Sequence, residues 1–176
     1  LGLPTVYTGI AIGIALAVDS ITDPLIGSLS DNWQGSHGRR HPFLYASILP
    51  LGLFFIGLFS PPELGEFALF LWLTVFSVGT RAMMTLYYVP HVSLGAELSE
   101  DFNERTEVVA YRYFFSYVGV ILTFAIGFVV YFPDTQFNAE AYAPFGITLS
   151  LLMMASILMT AAGTRKRIPY LPASRI

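Results

Sequence analysis

Asp19 and Asp23 lie four residues apart in an apolar stretch that runs from Val6 to Leu29, and Pro24 follows directly. On a helix that spacing puts both carboxylates on one face, one turn apart. Each ionised acid at the centre of a bilayer-spanning helix costs roughly 2.5 to 3.5 kcal/mol on insertion scales, so such groups face a protein interior or a watery path. The chemistry open to this pair is reversible binding of a small cation. The bland alternative is a buried salt bridge that only holds helices together, an arrangement that contributes little stability on its own.

Other chemistry-bearing groups occur at comparable depth. Arg81 and Arg112 are the two basic residues within or close to apolar runs, and Thr85, Tyr87, Tyr88, Pro90 and His91 interrupt the third run. Thr85 has two readings of equal weight, a hydroxyl bonded to its own helix carbonyl or a cation ligand. His91 has no second ligand at i+3 or i+4, which favours a polar gate or rim residue over a metal ligand. Pro90 lacks a backbone N–H and is expected to bend its helix. Around Arg112, the Phe residues Phe114 and Phe115 are expected to face lipid, and one tyrosine among Tyr111, Tyr113 and Tyr117 to face a cavity, where it could stack on a sugar ring.

The elements that carry these groups follow from hydropathy. Hydrophobic residues make up 55% of the 176 residues and charged residues only 12%, against about 25% charged in soluble domains. Five apolar runs, Val6 to Leu29, Phe43 to Phe59, Phe67 to Ser93, Val108 to Phe132 and Phe145 to Ala162, are each long enough to cross a hydrocarbon core of about 30 Å. Backbone polar groups in lipid must be satisfied internally, so the runs are predicted to be helices of an all-α membrane protein. No break between them is long enough for a second domain. With no cysteine, neither a disulfide nor a thiolate metal site is possible. The chain opens without Met or a basic leader, which reads as a fragment.

Seven basic residues, Arg39, Arg40, Arg105, Arg165, Lys166, Arg167 and Arg175, lie in alternate loops or the tail, and the opposite loops hold only Glu63, Glu66, Asp134 and Glu140. By the positive-inside rule Leu1 is outside and the tail from Thr164 is cytoplasmic. The first and third runs then travel in the same direction. Asp19 and Arg81 come out at about 20 Å below the outer end at 1.5 Å per residue, and are expected to pair. Asp23, one turn deeper, is expected to share a level with Arg112. In the first cytoplasmic loop, Gly27, Asp31, Gly38, Arg39 and Arg40 form a G-x-x-x-D then G-R-R pattern, expected to act as a conformational clasp that also meets anionic lipid.

The order Asp19-x-x-x-Asp23-Pro24-x-x-Gly27-x-x-x-Asp31, Gly38-Arg39-Arg40-x-Pro42, Val89-Pro90, Leu94 to Leu98, Glu104-Arg105-Thr106 and Arg112-x-Phe114-Phe115 resembles the melibiose permease-like glycoside-pentoside-hexuronide:cation symporters of the major facilitator superfamily. The resemblance implies that the five helices correspond to helices 2–6 of a twelve-helix fold. Residues 1–163 would then be a partial N-terminal six-helix bundle lacking its first helix, and residues 164–176 a basic cytoplasmic tail that starts the central loop. It further implies that Asp19, Asp23 and Thr85 bind the coupling cation and that Asp19 and Arg112 meet the sugar. Tyr88 stands where the family pattern has an aspartate that contributes to sugar and cation binding, a departure that weighs against a galactoside preference and sodium selectivity, and Tyr88 and Tyr113 are further candidates for solute contact. Arg81 has no counterpart in that pattern and would supply a counter-charge favouring protons over sodium.

The expected function is therefore cation-coupled symport of a sugar or glycoside by alternating access. The coupling ion would be sodium, held at Asp19 and Asp23, or a proton, with no other metal or cofactor. Expected partners are a small solute, membrane lipid and the missing C-terminal half, and not nucleic acid. The expected location is the bacterial inner membrane. No G-x-x-x-x-G-K-[ST] phosphate loop occurs, and no H-E-x-x-H or G-x-S-x-G motif supports an enzyme. The rival class is a non-transporting scaffold or a lipid-binding relative.

Overall fold

The computed structural model describes residues 2–35, 38–99 and 101–170; the end of the expected basic tail, with Arg175, lies outside them. Among the described residues, five helices are long and apolar enough to cross a membrane. We number them α1 (Thr5–Asn32), α2 (His41–Phe59), α3 (Glu66–Glu97), α4 (Phe102–Ala125) and α5 (Tyr142–Thr164). α4 widens into a π-helical segment, Ile126–Tyr131, and short 3-10 turns flank α5 at Ala139–Ala141 and Arg165–Tyr170.

The helices extend past the apolar runs at their polar ends. Hydropathy marks only the stretch that lipid requires, whereas capping decides where a helix stops. Asp101 precedes α4, and its carboxylate accepts hydrogen bonds from the Asn103 and Glu104 backbone N–H groups. That cap starts α4 six residues before the apolar run at Val108. α3, at 32 residues, is about 48 Å long and must protrude beyond the hydrocarbon core. Pro24, Pro50 and Pro90 each lie inside a helix, and α3 continues through the buried Pro90 to Glu97.

α1 packs on α3, α3 on α2, and α2 on α5, whereas α4 packs more sparsely, against α3. α1 and α3 run parallel. Antiparallel packing of α2 with α5 follows from the pairs His41 with Thr164, Gly52 with Ser150 and Phe59 with Phe145. There the helix backbones come close: Ser150 donates to the Gly52 carbonyl at 3.0 Å, and a methyl on Gly146 would collide with Phe59 Cβ. Small residues at such crossings let membrane helices associate by close packing. Near the basic end, Leu44, Leu94 and Ala161 form a buried apolar cluster joining α2, α3 and α5. Many large apolar side chains on the remaining faces are open, including Val6, Leu25, Leu49, Phe67 and Met159, as expected of surfaces that meet lipid.

Candidate cation and solute site

The parallel pair α1 and α3 brings the mid-helix polar groups together. Arg81 Nη1 donates to Asp19 Oδ2 at 2.6 Å, and Thr85 Oγ1 donates to Asp23 Oδ1 at 2.8 Å. Both contacts span the same 62 residues of sequence. Gly27 and Val89, one turn further, face each other at that offset as well. Two i, i+4 series thus run rung by rung along two parallel helices, which is why a single packing register satisfies both carboxylates.

The expected pairing of Asp19 with Arg81 is present. The expected level shared by Asp23 and Arg112 produces no pair: among the described residues Arg112 makes no ion pair, and its guanidinium instead lies 5.4 Å from the centre of the Tyr113 ring. Thr85 bonds to Asp23 rather than to its own helix carbonyl, and it is buried. Asp19 keeps its other oxygen, Oδ1, buried with no hydrogen-bond partner. Burying a carboxylate oxygen without a donor is costly, so Oδ1 can accept from a polar group that enters the centre.

Of the expected solute-binding residues, only Asp19 belongs to this cluster. Among the described residues, no hydrogen bond or ion pair joins Arg112, Tyr88 or Tyr113 to the carboxylates, and both tyrosines are half exposed. α4 buries none of its own residues, so its aromatic face from Tyr111 to Tyr117 lies open. His91 stacks on Tyr87, with ring centres 5.0 Å apart, and its Nδ1 is buried without a partner. Among the described residues no group of three or more His, Asp or Glu side chains gathers to hold a metal ion.

A second polar cluster closes the basic end. Arg40, only 4% exposed, donates from Nη2 to Asp31 Oδ1 at 2.6 Å and to Glu97 Oε1 at 2.8 Å, while its Nη1 donates to Ser30 Oγ at 2.8 Å. Arg39 also pairs with Glu97. The residues Asp31, Arg39 and Arg40 of the expected clasp therefore do meet, at the end of α1 and the start of α2. Glu97, the acid that ties them to α3, was not assigned a role from the sequence. The available signal was its place in the Leu94 to Leu98 segment, as the first of several acids after the apolar run. Gly38 adopts φ 82°, and a Cβ there would also come within 3.0 Å of Ile168 Cγ2, so the turn that delivers both arginines needs a glycine. Gly27 lies on α1, one turn before Asp31.

At the opposite end a cavity of about 1210 Å³ is lined by Ile12, Phe59, Glu63, Leu73, Ser77 and Tyr142, among others. Ser77 is one helical turn from Arg81. Along the bundle, the polar centre thus lies between this vestibule at one end and an ionic clasp at the other.

Known proteins resemble this chain along most of its length. A family model described as MFS/sugar transport protein matches residues 1–175. An uncharacterized symporter of Synechocystis is 26% identical over 166 residues, 91% of this chain and 30% of that protein. The inner membrane symporter YicJ of Escherichia coli is 25% identical over 69% of this chain and 26% of its own length. The isoprimeverose transporter of Lactiplantibacillus pentosus is 21% identical over 95% of this chain and 36% of its own length. The chain spans about a third of the length of these relatives. With five membrane-length helices, the Asp19 and Asp23 pair and a match along nearly its whole length, this integral multi-pass membrane chain belongs to the MFS/sugar transport protein family, in its glycoside-pentoside-hexuronide:cation symporter-like branch.

Proposed function

We propose that this chain forms part of a secondary active transporter that couples the movement of a sugar or glycoside to a cation gradient by alternating access. The observation that carries the reading is the in-register pairing of Asp19 with Arg81 and Asp23 with Thr85 in the middle of two membrane-length helices. Charged groups at that depth are expensive and are retained mainly where an ion or substrate passes. A sugar-class solute is supported by the name of the isoprimeverose transporter.

The mechanism follows from charge. With Asp19, Asp23 and Arg81 ionised, the centre carries one net negative charge, and moving it between the two faces of a low-dielectric barrier is unfavourable. One bound monovalent cation neutralises it. The loaded centre can then pass from the vestibule side to the clasp side as two bundles of a longer carrier rock about the site. Solute joins the same cavity, with Asp19 offering Oδ1 to a hydroxyl and Arg112, Tyr88 and Tyr113 lining the approach. Asp31, Arg39, Arg40 and Glu97 hold one end shut while the other is open, and part when the access side changes. The tail from Thr164 and the clasp lie on the cytoplasmic side of a bacterial inner membrane, as the distribution of basic residues supports.

Uptake by membrane vesicles holding the whole carrier tests this, with labelled glycosides offered under imposed sodium or proton gradients. The reading requires accumulation above the outside concentration that collapses with the driving gradient. Equal inside and outside levels under every gradient would sink it.

A further inference from the structure

We propose that the basic turn after α5, formed by Arg165, Lys166 and Arg167, docks the headgroup of an anionic phospholipid of the cytoplasmic leaflet, and that its occupancy holds the clasp shut. From the reading above this takes the orientation of the chain and the role of the clasp, not the solute or the coupling ion. α5 packs chiefly on α2 and leaves Leu151, Leu152, Leu158 and Met159 exposed. These four form one stripe, since Leu151 and Leu158, like Leu152 and Met159, lie seven positions apart, about two turns. Seven positions further the stripe reaches Arg165 and Lys166. Arg165 keeps helical backbone angles, φ −55° and ψ −37°, where α5 tightens into the 3-10 turn Arg165–Tyr170. A face that meets acyl chains thus ends in two cations at headgroup level, which a single anionic phospholipid complements along its length.

All three cations are exposed, and among the described residues none of them makes an ion pair. The clasp does not need them, because Asp31 and Glu97 already balance Arg39 and Arg40. A basic residue near an anionic membrane surface strengthens association roughly fivefold, so three together give about a hundredfold, lessened by salt. The turn is tied to the clasp at two points. Ile168 Cγ2 abuts the turn at Gly38, directly before Arg39 and Arg40, at 3.0 Å from where a Cβ on that glycine would stand. Thr164 Oγ1, next to Arg165, lies 3.0 Å from Nε2 of the fully buried His41. The threonine spends its one hydroxyl proton on the Thr160 carbonyl, so His41 Nε2–H is the donor. A headgroup that fixes the basic turn therefore also fixes Ile168 and Thr164, and through them the segment 38–41 that presents both arginines to Glu97.

The whole carrier tests both the docking and its consequence. Equilibrium binding of radiolabelled phosphatidylglycerol to the purified carrier in detergent, competed by phosphatidylcholine, should be saturable with a preference of roughly tenfold or more. Arg165→Gln, Lys166→Gln and Arg167→Gln together should remove most of that preference, whereas Arg165→Lys with Arg167→Lys should retain it. High ionic strength, which screens the same charges without any substitution, should remove it as well. In phosphatidylcholine vesicles, added phosphatidylglycerol should slow maleimide labelling of a single cysteine beside Glu97 several-fold. The slowing should vanish in the glutamine variant and in Ile168→Gly, which still binds the lipid. Equal preference in the unaltered and glutamine proteins would overturn the docking site, and is the result if an acidic segment of the carrier covers the turn. Labelling of the unaltered protein that is indifferent to phosphatidylglycerol would overturn the link to the clasp. Neither readout uses transport, so a carrier that accumulates no solute refutes the carrier reading separately.

Discussion

Arg81 reaches Asp19 Oδ2 at 2.6 Å from 62 residues away, and it does so in a register that simultaneously sets Thr85 against Asp23. Because α1 and α3 are parallel, sliding one past the other by a single turn would break both contacts at once. The two-rung ladder therefore fixes depth and register together.

The Thr85 rung predicts a change in ion dependence without loss of fold. A hydrogen bond to a charged group is worth about 1.5 to 3 kcal/mol, and 1.4 kcal/mol corresponds to tenfold. Thr85→Val removes the donor to Asp23 Oδ1, so the concentration of coupling ion that gives half-maximal uptake should change about tenfold. Thr85→Ser should keep the original profile. Initial uptake rates across series of sodium and of proton concentration check both variants.

The Arg81 rung predicts a compensating pair. Arg81→Met leaves Asp19 a half-buried charge with no partner, and Asp19→Asn does the converse. Removing one partner of a fully buried pair costs about 3 to 5 kcal/mol, but Arg81 is 41% exposed, so a loss nearer 1 to 2 kcal/mol is expected. The double variant Asp19→Asn with Arg81→Met should recover most of that loss. Thermal unfolding of all four proteins in detergent, treated as a double-mutant cycle, measures the coupling.

At the basic end, Glu97→Gln should loosen the clasp rather than the fold, because both arginines keep hydrogen-bond acceptors but lose their shared charge. These 176 residues contain no cysteine, so a single cysteine placed beside Ser30 or Glu97, compared with the carrier lacking it, reports access at the clasp. Its labelling by a membrane-impermeant maleimide should rise several-fold in Glu97→Gln. Arg40→Ala should be more damaging, since Asp31, Ser30 and Glu97 would all lose the same buried donor.

The α2–α5 crossing is intolerant of bulk. Gly146→Ala must push the Phe59 end of α2 away, because the collision is with Cβ rather than with a mobile side-chain tip. Overpacking of this kind costs about 1 to 3 kcal/mol. A lowered unfolding temperature in detergent, with the ion dependence of uptake unchanged in the folded fraction, is the expected result.

Local chemistry was legible in the chain as written. Apolar run length specified five helices, because lipid leaves the backbone no other way to satisfy its polar groups. The i, i+4 spacing of Asp19 and Asp23 set them on one face, and counting residues from the outer ends placed Arg81 level with Asp19. Such properties depend on one helix at a time, or on depth alone. What lay beyond the sequence depends on rotation and on which helices touch. Depth alone set Arg112 at the level of Asp23 but could not say that α3, rather than α4, turns a side chain to it, and only packing shows Thr85 bonded there. Hydropathy could not reveal that Asp101 starts α4 early, because a cap works through hydrogen bonds and not through lipid solubility. Glu97 was visible only as an acid at a helix end until packing carried it to Arg39 and Arg40, since an ion pair between residues 57 apart exists only once α1, α2 and α3 have met.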